Sequence, residues 1–166
     1  MKRTNQHTSS AAVLAVGAEL SRRAYDVTFT LGNTRRVDML CSVPDGSTFK
    51  IQVKGISNQN ALYIDKSFFD APGQENLFLV VVLVPKDVAL PFRFFVLSHA
   101  QAKTESAKLP TRKRDGQPFV VEGGLNWGSF KSYENAWATF PPIGEGEHFA
   151  QKRFPALGPS EDTNGR

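Results

Sequence analysis

The chain has 166 residues and a formal net charge of +4 at neutral pH, with 20 Lys and Arg against 16 Asp and Glu. This length favours one domain with a single core, and a hydrophobic content of 40% is too high for a disordered chain. The net positive charge lies in residues 1–54, because basic and acidic side chains balance in the rest of the sequence. That asymmetry is a mild indication of a polyanionic partner.

Cysteine, histidine and hydropathy patterns exclude several other classes. A single cysteine, Cys41, excludes an internal disulfide framework, and the three histidines share no zinc-ligand spacing. No apolar run approaches the roughly 18 to 20 residues that span a membrane. The apolar segment 11–18 runs directly into Glu19, and a polar stretch separates it from Lys2 and Arg3. We therefore interpret it as part of a helix in a cytoplasmic protein and not as a secretion signal.

The first third of the chain predicts one helix and three strands. Residues 1–8 are predicted to be flexible, and a helix is predicted from Ser9 or Ser10 to about Ala24. Alternating apolar residues then predict strands over 27–31, 37–43 and 49–54. The turn-forming residues 44–46 predict that the last two strands form a hairpin.

The later elements are predicted from runs of apolar and aromatic residues. Residues 76–84 predict a strand covered on both faces, 92–97 predict a strand that pairs with it, and Ser98 caps a short helix to Ala102. Four aromatic residues at helical spacing predict a packed helix over 127–140. Residues 103–116 are predicted to be a surface loop with a basic cluster, Lys108, Arg112, Lys113 and Arg114. With a flexible tail at 155–166, residues 9–154 are predicted to form a single domain.

The predicted hairpin gathers three polar side chains. Gln52 and Lys54 are two residues apart on one strand, so they point to the same face. With a turn near residues 45 and 46, Asp38 on the partner strand falls opposite positions 52–54. A carboxylate, a neutral oxygen and an ammonium on a sheet suit metal-assisted phosphodiester cleavage. Hard oxygens bind Mg²⁺, the metal activates a water, and a lysine stabilises charge on the phosphate.

At these residues the chain resembles the PD-(D/E)XK, or restriction-endonuclease-like, nuclease superfamily. Val37-Asp38-Met39-Leu40 and Ile51-Gln52-Val53-Lys54-Gly55 match the two motif strands, and Glu19 stands where many members carry an acidic residue in the first helix. The small size is similar to that of members related to homing endonucleases and Holliday-junction resolvases. The resemblance implies an α/β fold: a restriction-endonuclease-like core with a central mixed β-sheet flanked by helices.

The resemblance also implies how the matching residues act. Asp38, Gln52 and the carbonyl of Val53 would bind Mg²⁺, or alternatively Mn²⁺, and Lys54 would be the catalytic ammonium. Glu19 would be an outer or second-metal ligand. Gln52 replaces the Asp or Glu that is usual in the family. This removes one negative charge and is expected to lower metal affinity.

The predicted function is that of a Mg²⁺-dependent endonuclease acting on DNA. Arg35 and Arg36 precede Asp38 and are candidates for phosphate contacts, although a solvated loop is an equal alternative. Homodimerisation is expected from the family, because one active site cuts one strand. The alternative function is a module that keeps the fold and binds nucleic acid or a protein without catalysis, which the substitution at Gln52 favours.

Glu19 also has an alternative interpretation. It is followed by Arg22 and Arg23 at helical spacings of three and four residues. Such a glutamate is at least as often part of a surface ion pair as it is a ligand.

Overall fold

The fold begins with a long helix, α1, over Asn5–Ser21. In this computed structural model, residues 3–30, 37–70, 74–108, 112–114, 117–119 and 123–143 are described. Thr4 caps α1: its hydroxyl accepts the N–H of His7, and the His7 ring accepts the N–H of Thr4. Helix α1 therefore starts before Ser9, and the prediction of a flexible segment is wrong for residues 5–8. A histidine completes this capping box in place of the usual Glu or Gln.

Five strands form one mixed sheet in the order β1-β2-β3-β4-β5. The first three are an antiparallel meander, β4 lies parallel to β3, and β5 is antiparallel to β4. This confirms the predicted α/β class with a central mixed sheet. The strands are β1 (Asp26–Phe29), β2 (Met39–Ser42), β3 (Thr48–Ile56), β4 (Leu77–Leu83) and β5 (Arg93–Ser98).

The predicted hairpin between β2 and β3 is confirmed. Gly46 has a φ of +86°, a left-handed conformation that glycine adopts without strain. The Asp45 carboxylate accepts the N–H of Ser47 at 2.8 Å, and the N–H of Val43 donates to the carbonyl of Ser47 at 3.1 Å. The turn residues thus set the register of the two strands that carry the motif.

Helices cover both faces of the sheet. Helix α1 packs on the face that carries Ile51 and Val53, through buried residues such as Val16 and Leu20. The opposite face is covered by α2 (Lys66–Asp70), α3 (His99–Ala107) and α4 (Trp127–Phe130). All seven residues of β4 are buried, as expected for a strand between two apolar layers.

The first turns of α1 lie very close to the end of β3. A Cβ atom placed on Gly55 would be 2.7 Å from the carbonyl oxygen of Thr8 and 3.0 Å from the Cβ of Ala12. Glycine at position 55 therefore lets the helix backbone approach the strand. As a result, Asn5 and Thr8 lie beside the segment that follows Lys54.

The predicted helix over 127–140 is wrong as a single element. The chain forms α4, then 3₁₀ turns over Lys131–Tyr133 and Trp137–Thr139. Asn135, with a φ of 53°, interrupts the helical path between the two turns. The aromatic residues nevertheless pack as predicted, since Phe130 and Phe140 are buried.

The region after β5 is more ordered than predicted. Ser98 does cap α3, with its hydroxyl accepting the N–H of Gln101, but the helix continues to Ala107. The basic cluster predicted as a loop includes a strand, β6 (Arg112–Arg114), paired with β7 (Gln117–Phe119). The predicted tail at 155–166 lies outside the described residues. Within the described part of the chain, no helix has the length and apolar character needed to cross a membrane.

Candidate functional site

Asp38 lies directly before β2 and is held by the strands on either side. Its carbonyl accepts the N–H of Thr30, which follows β1, at 3.0 Å, and its own N–H donates to the carbonyl of Ile51 on β3 at 2.8 Å. Ile51 is also the register partner of Met39. Two consecutive residues, Asp38 and Met39, therefore pair with the single residue Ile51. This arrangement is a β-bulge.

The bulge changes the predicted register at the site. The sequence pattern places Asp38 opposite residues 52–54, whereas its backbone pairs with Ile51. The Asp38 side chain reaches further along β3, where its Oδ2 accepts the backbone N–H of Val53 at 2.7 Å. Bulges often occur next to active sites because they redirect a side chain. Here the bulge brings the Asp38 carboxylate to the middle of β3, the strand that carries Gln52 and Lys54.

Two opposing effects act on the Asp38 carboxyl group. Burial raises its pKa, while the hydrogen bond from Val53 and the positive charge of Lys54 lower it, and burial is the larger effect. The structure therefore brings the Asp38 carboxylate to the backbone of Val53, between Gln52 and Lys54 in the sequence of β3.

Gln52 lies between the two β3 residues that hold Asp38. Its side chain is 5% exposed, and its Oε1 has no hydrogen-bond partner among the described residues. Most buried polar atoms in folded proteins are paired, because leaving one unpaired costs about 1 to 3 kcal/mol. An acceptor in this state is available to a ligand.

Lys54 is half-buried and lines a cavity of about 340 Å³. The walls of this cavity come from the segment after β3, which includes Asn58 and Tyr63, and from the first turns of α1. The sequence analysis did not identify these residues. The sequence signal at Tyr63 is its aromatic type alone, because its exposure is a property of the tertiary structure.

Glu19 is placed differently from the other predicted site residues. Its Oε2 lies 2.8 Å from Nε of Arg22 and 3.1 Å from Nη1 of Arg23. The Arg23 guanidinium lies 4.5 Å from the ring centroid of Trp137, which packs against Phe94 of β5. These are the contacts of the surface ion pair that was the alternative interpretation. A metal-binding function for Glu19 stays a prediction, and we leave Glu19 out of the candidate site.

The remaining predicted residues are Arg35 and Arg36, which lie outside the described residues. Within the described ranges, no group of three or more His, Cys, Asp or Glu side chains could hold a metal ion. A metal at this site would therefore depend on amide and backbone oxygens as well as on the single carboxylate of Asp38.

These features define an α/β protein in which the Asp38 carboxylate is bonded to a strand that also carries a buried amide, Gln52, and a lysine, Lys54. No protein-family model matches the chain, and no curated protein matches it. Among solved structures, the chain is similar to a bacterial homing endonuclease, I-Ssp6803I. The match has 15% identity and a TM-score of 0.48, and it covers 81% of this chain and 90% of that one.

Proposed function

We propose that the protein is a metal-dependent endonuclease that hydrolyses DNA phosphodiester bonds at Asp38, Gln52 and Lys54. The observation that carries the proposal is the buried Oε1 of Gln52, which has no hydrogen-bond partner in the described part of the chain, on the strand that also holds the Asp38 carboxylate. An orphaned acceptor is costly unless a ligand supplies the missing partner. A hydrated cation next to Asp38 is such a partner.

The order of elements supports membership in the restriction-endonuclease-like superfamily. Helix α1 is followed by the antiparallel meander, then by α2 and by β4 parallel to β3. The resemblance implies this same order of a helix, a three-stranded meander, a second helix and a further strand. The motif residues Asp38, Gln52 and Lys54 lie at the second and third strands of that meander, as the family pattern requires.

The oxygens of the site fit Mg²⁺. The carboxylate of Asp38, Oε1 of Gln52 and the carbonyl of Val53 are hard oxygen donors of the kind that Mg²⁺ or Mn²⁺ prefers. The N–H and C=O of one strand residue project from the same edge, so the Val53 carbonyl emerges on the side where its N–H meets Asp38. When bound, the ion would lower the pKa of a water molecule and offset charge on the phosphate.

The side chains of the chain itself would orient the substrate. The ammonium of Lys54 carries three donors, which suits it to hold a phosphate oxygen or to position the attacking water. The hydrogen bond from Val53 fixes the Asp38 carboxylate before any substrate binds. Such pre-organisation reduces the cost of orienting groups during the reaction.

Several further properties belong to this proposal. Arg35 and Arg36 would contact phosphates of the DNA. A homodimer would allow two sites to cut both strands of a duplex. Cytoplasmic location stays a prediction from the sequence.

The second candidate function is a binding module that has the same fold without catalysis. Gln52 favours it, because an amide in place of an acid lowers the charge available for a metal. The electrostatic interaction of Lys54 with Asp38 favours the nuclease, since a site that only binds has no need for a half-buried carboxylate that interacts with a lysine.

The test is cleavage of supercoiled plasmid and of branched DNA in Mg²⁺, Mn²⁺ or EDTA. Wild type would be compared with Lys54→Ala and with Lys50→Ala, a matched control at an exposed lysine on the same face of β3. We expect metal-dependent cutting that is lost in Lys54→Ala and kept in Lys50→Ala. DNA binding without cutting in any metal would support the binding module. If Lys54→Ala and Lys50→Ala both cut DNA as well as wild type does, the active site lies elsewhere.

A further inference from the structure

The cavity beside Lys54 has a polar lining and an exposed aromatic wall. Its volume of about 340 Å³ is at the lower end of small-molecule sites, which suits one nucleotide and not a duplex. The described lining includes one basic residue, Lys54, and contains no Asp or Glu. The site is therefore suited to an anionic ligand. Asn5 and Asn58, both exposed, add amide donors and acceptors.

Tyr63 forms one wall of this cavity and is held in place by its neighbours. Leu62 exchanges two backbone hydrogen bonds with Leu125, each of 2.9 Å, and both Leu62 and Ile64 are buried. The Tyr63 side chain, between these two anchors, is 68% exposed. An aromatic ring on an anchored backbone offers a binding surface with little loss of conformational entropy.

We propose that the Tyr63 ring is a stacking platform for one unpaired base of the DNA substrate, adjacent to the phosphate at Lys54. This inference rests on the proposed function, in which Lys54 holds the scissile phosphate. Aromatic rings stack on any base, and in single-strand binding proteins they combine with cationic side chains that follow the backbone. Asn5 and Asn58 line the same cavity, and their amides would meet the edge of the stacked base.

The inference specifies a class of substrate. A base inside an intact duplex is stacked on its neighbours and cannot reach Tyr63 unless it leaves the helix. DNA with an unpaired nucleotide beside the cut, such as a gap, a flap or a single-stranded end, presents that base directly. We therefore expect the protein to prefer such DNA to a fully paired duplex.

The experiment measures binding in EDTA, so that cleavage does not interfere. Fluorescence anisotropy would compare a gapped duplex with a paired duplex, and quenching of 2-aminopurine in the gap would report stacking. Wild type, Tyr63→Ala and Tyr63→Phe would be tested, with Phe92→Ala as a control at an exposed aromatic residue near β5. We expect Tyr63→Ala to bind gapped DNA about tenfold more weakly and to lose the quenching. Tyr63→Phe and Phe92→Ala should bind gapped DNA as tightly as wild type does. Affinity for the paired duplex should be the same in wild type and in every variant.

Two results would overturn the stacking inference: equal affinity of wild type for gapped and paired DNA, or unchanged quenching in Tyr63→Ala. Its failure is separable from that of the proposed function. Quenching that depends on Tyr63, without cutting in any metal, would retain the base platform and reject the nuclease. Cutting that depends on Lys54, with no effect of Tyr63→Ala on gapped DNA, would retain the nuclease and reject the platform.

Discussion

Asp38 and Val53 are joined across the meander by a hydrogen bond of 2.7 Å from the backbone nitrogen of Val53 to Oδ2 of Asp38. The bond forms because the bulge at Asp38 turns the Asp38 side chain toward β3. The carboxylate then accepts the N–H of Val53, which a backbone carbonyl would accept in a regular antiparallel pair. It fixes a carboxylate on the strand that also carries Gln52 and Lys54. This relationship is the basis of the first prediction.

Replacing Asp38 by Asn should increase stability near neutral pH and abolish cleavage. Burial raises the folded-state pKa of Asp38 above its ordinary value of 3.8, so the folded protein binds this proton more tightly than the unfolded chain does. Relative to Asp38→Asn, wild-type stability should be greatest below pH 3.8 and should fall as pH rises through the elevated pKa. Urea unfolding of wild type and Asp38→Asn at a series of pH values measures the difference in their free energies of unfolding.

The control for this pH dependence is Asp45→Asn. The pKa of Asp45 is lowered by hydrogen bonds from Ser47, so its contribution to stability is present above pH 3.8 and is lost as pH falls through the depressed pKa. The two variants should therefore change the pH profile in opposite directions. A wild-type stability that rises with pH relative to Asp38→Asn would contradict the dominance of burial at Asp38.

Replacing Gln52 by Glu should strengthen the response of the protein to Mg²⁺. A second buried carboxylate near Asp38 lowers stability without metal and adds a charged ligand when metal binds. Ligand binding to the folded state alone adds about 2.7 kcal/mol at 100 times the Kd. Thermal unfolding at increasing Mg²⁺ should therefore show a larger rise in Tm for Gln52→Glu than for wild type.

Gln52→Met is the matched variant, because it keeps the length of the side chain and removes the oxygen. Its Tm should not respond to Mg²⁺. The metal site assigned to Gln52 is refuted by equal Mg²⁺ shifts in wild type and Gln52→Met.

Replacing Gly55 by Ala should destabilise the fold, whereas Gly17→Ala should have little effect. The new Cβ at position 55 meets the backbone oxygen of Thr8 at 2.7 Å, so α1 must shift, at a cost of about 1 to 3 kcal/mol. At position 17 the contact is with the end of the Phe29 ring, which is 42% exposed and can move. Urea unfolding of both variants checks the contrast, and comparable losses would count against close packing at Gly55.

Replacing Arg93 by Ala should lower stability without affecting cleavage. Nε and Nη2 of Arg93 lie 2.7 Å from the two oxygens of Glu134, and its guanidinium lies 5.4 Å from the ring centroid of Trp127. Because the pair is partly exposed, the expected loss is about 1 kcal/mol. Arg93→Lys should recover only part of it, since lysine lacks the planar fork. Unfolding free energies and plasmid cutting measured together test both statements.

Much of the sheet follows from local sequence patterns. Alternation of apolar residues identified the strands of the meander, and the turn at Asp45-Gly46 identified their hairpin, because both signals act between near neighbours. The helical spacing of aromatic residues over 127–140 predicted one continuous helix, and this prediction was wrong. The packing of these residues on β5 does not require one continuous helix. Packing between distant segments outweighed local periodicity there.

The sequence by itself determined the α/β class, the hairpin, and the placement of Gln52 and Lys54 on one strand with Asp38 at the start of its neighbour. Only the tertiary structure decided the bulge at Asp38, the unpaired oxygen of Gln52 and the exposed position of Tyr63 beside Lys54. Strand periodicity repeats every two residues and is visible locally. Burial and hydrogen-bond pairing depend on contacts between residues far apart in the chain, so they are settled only when β1, β3 and the first turns of α1 come together.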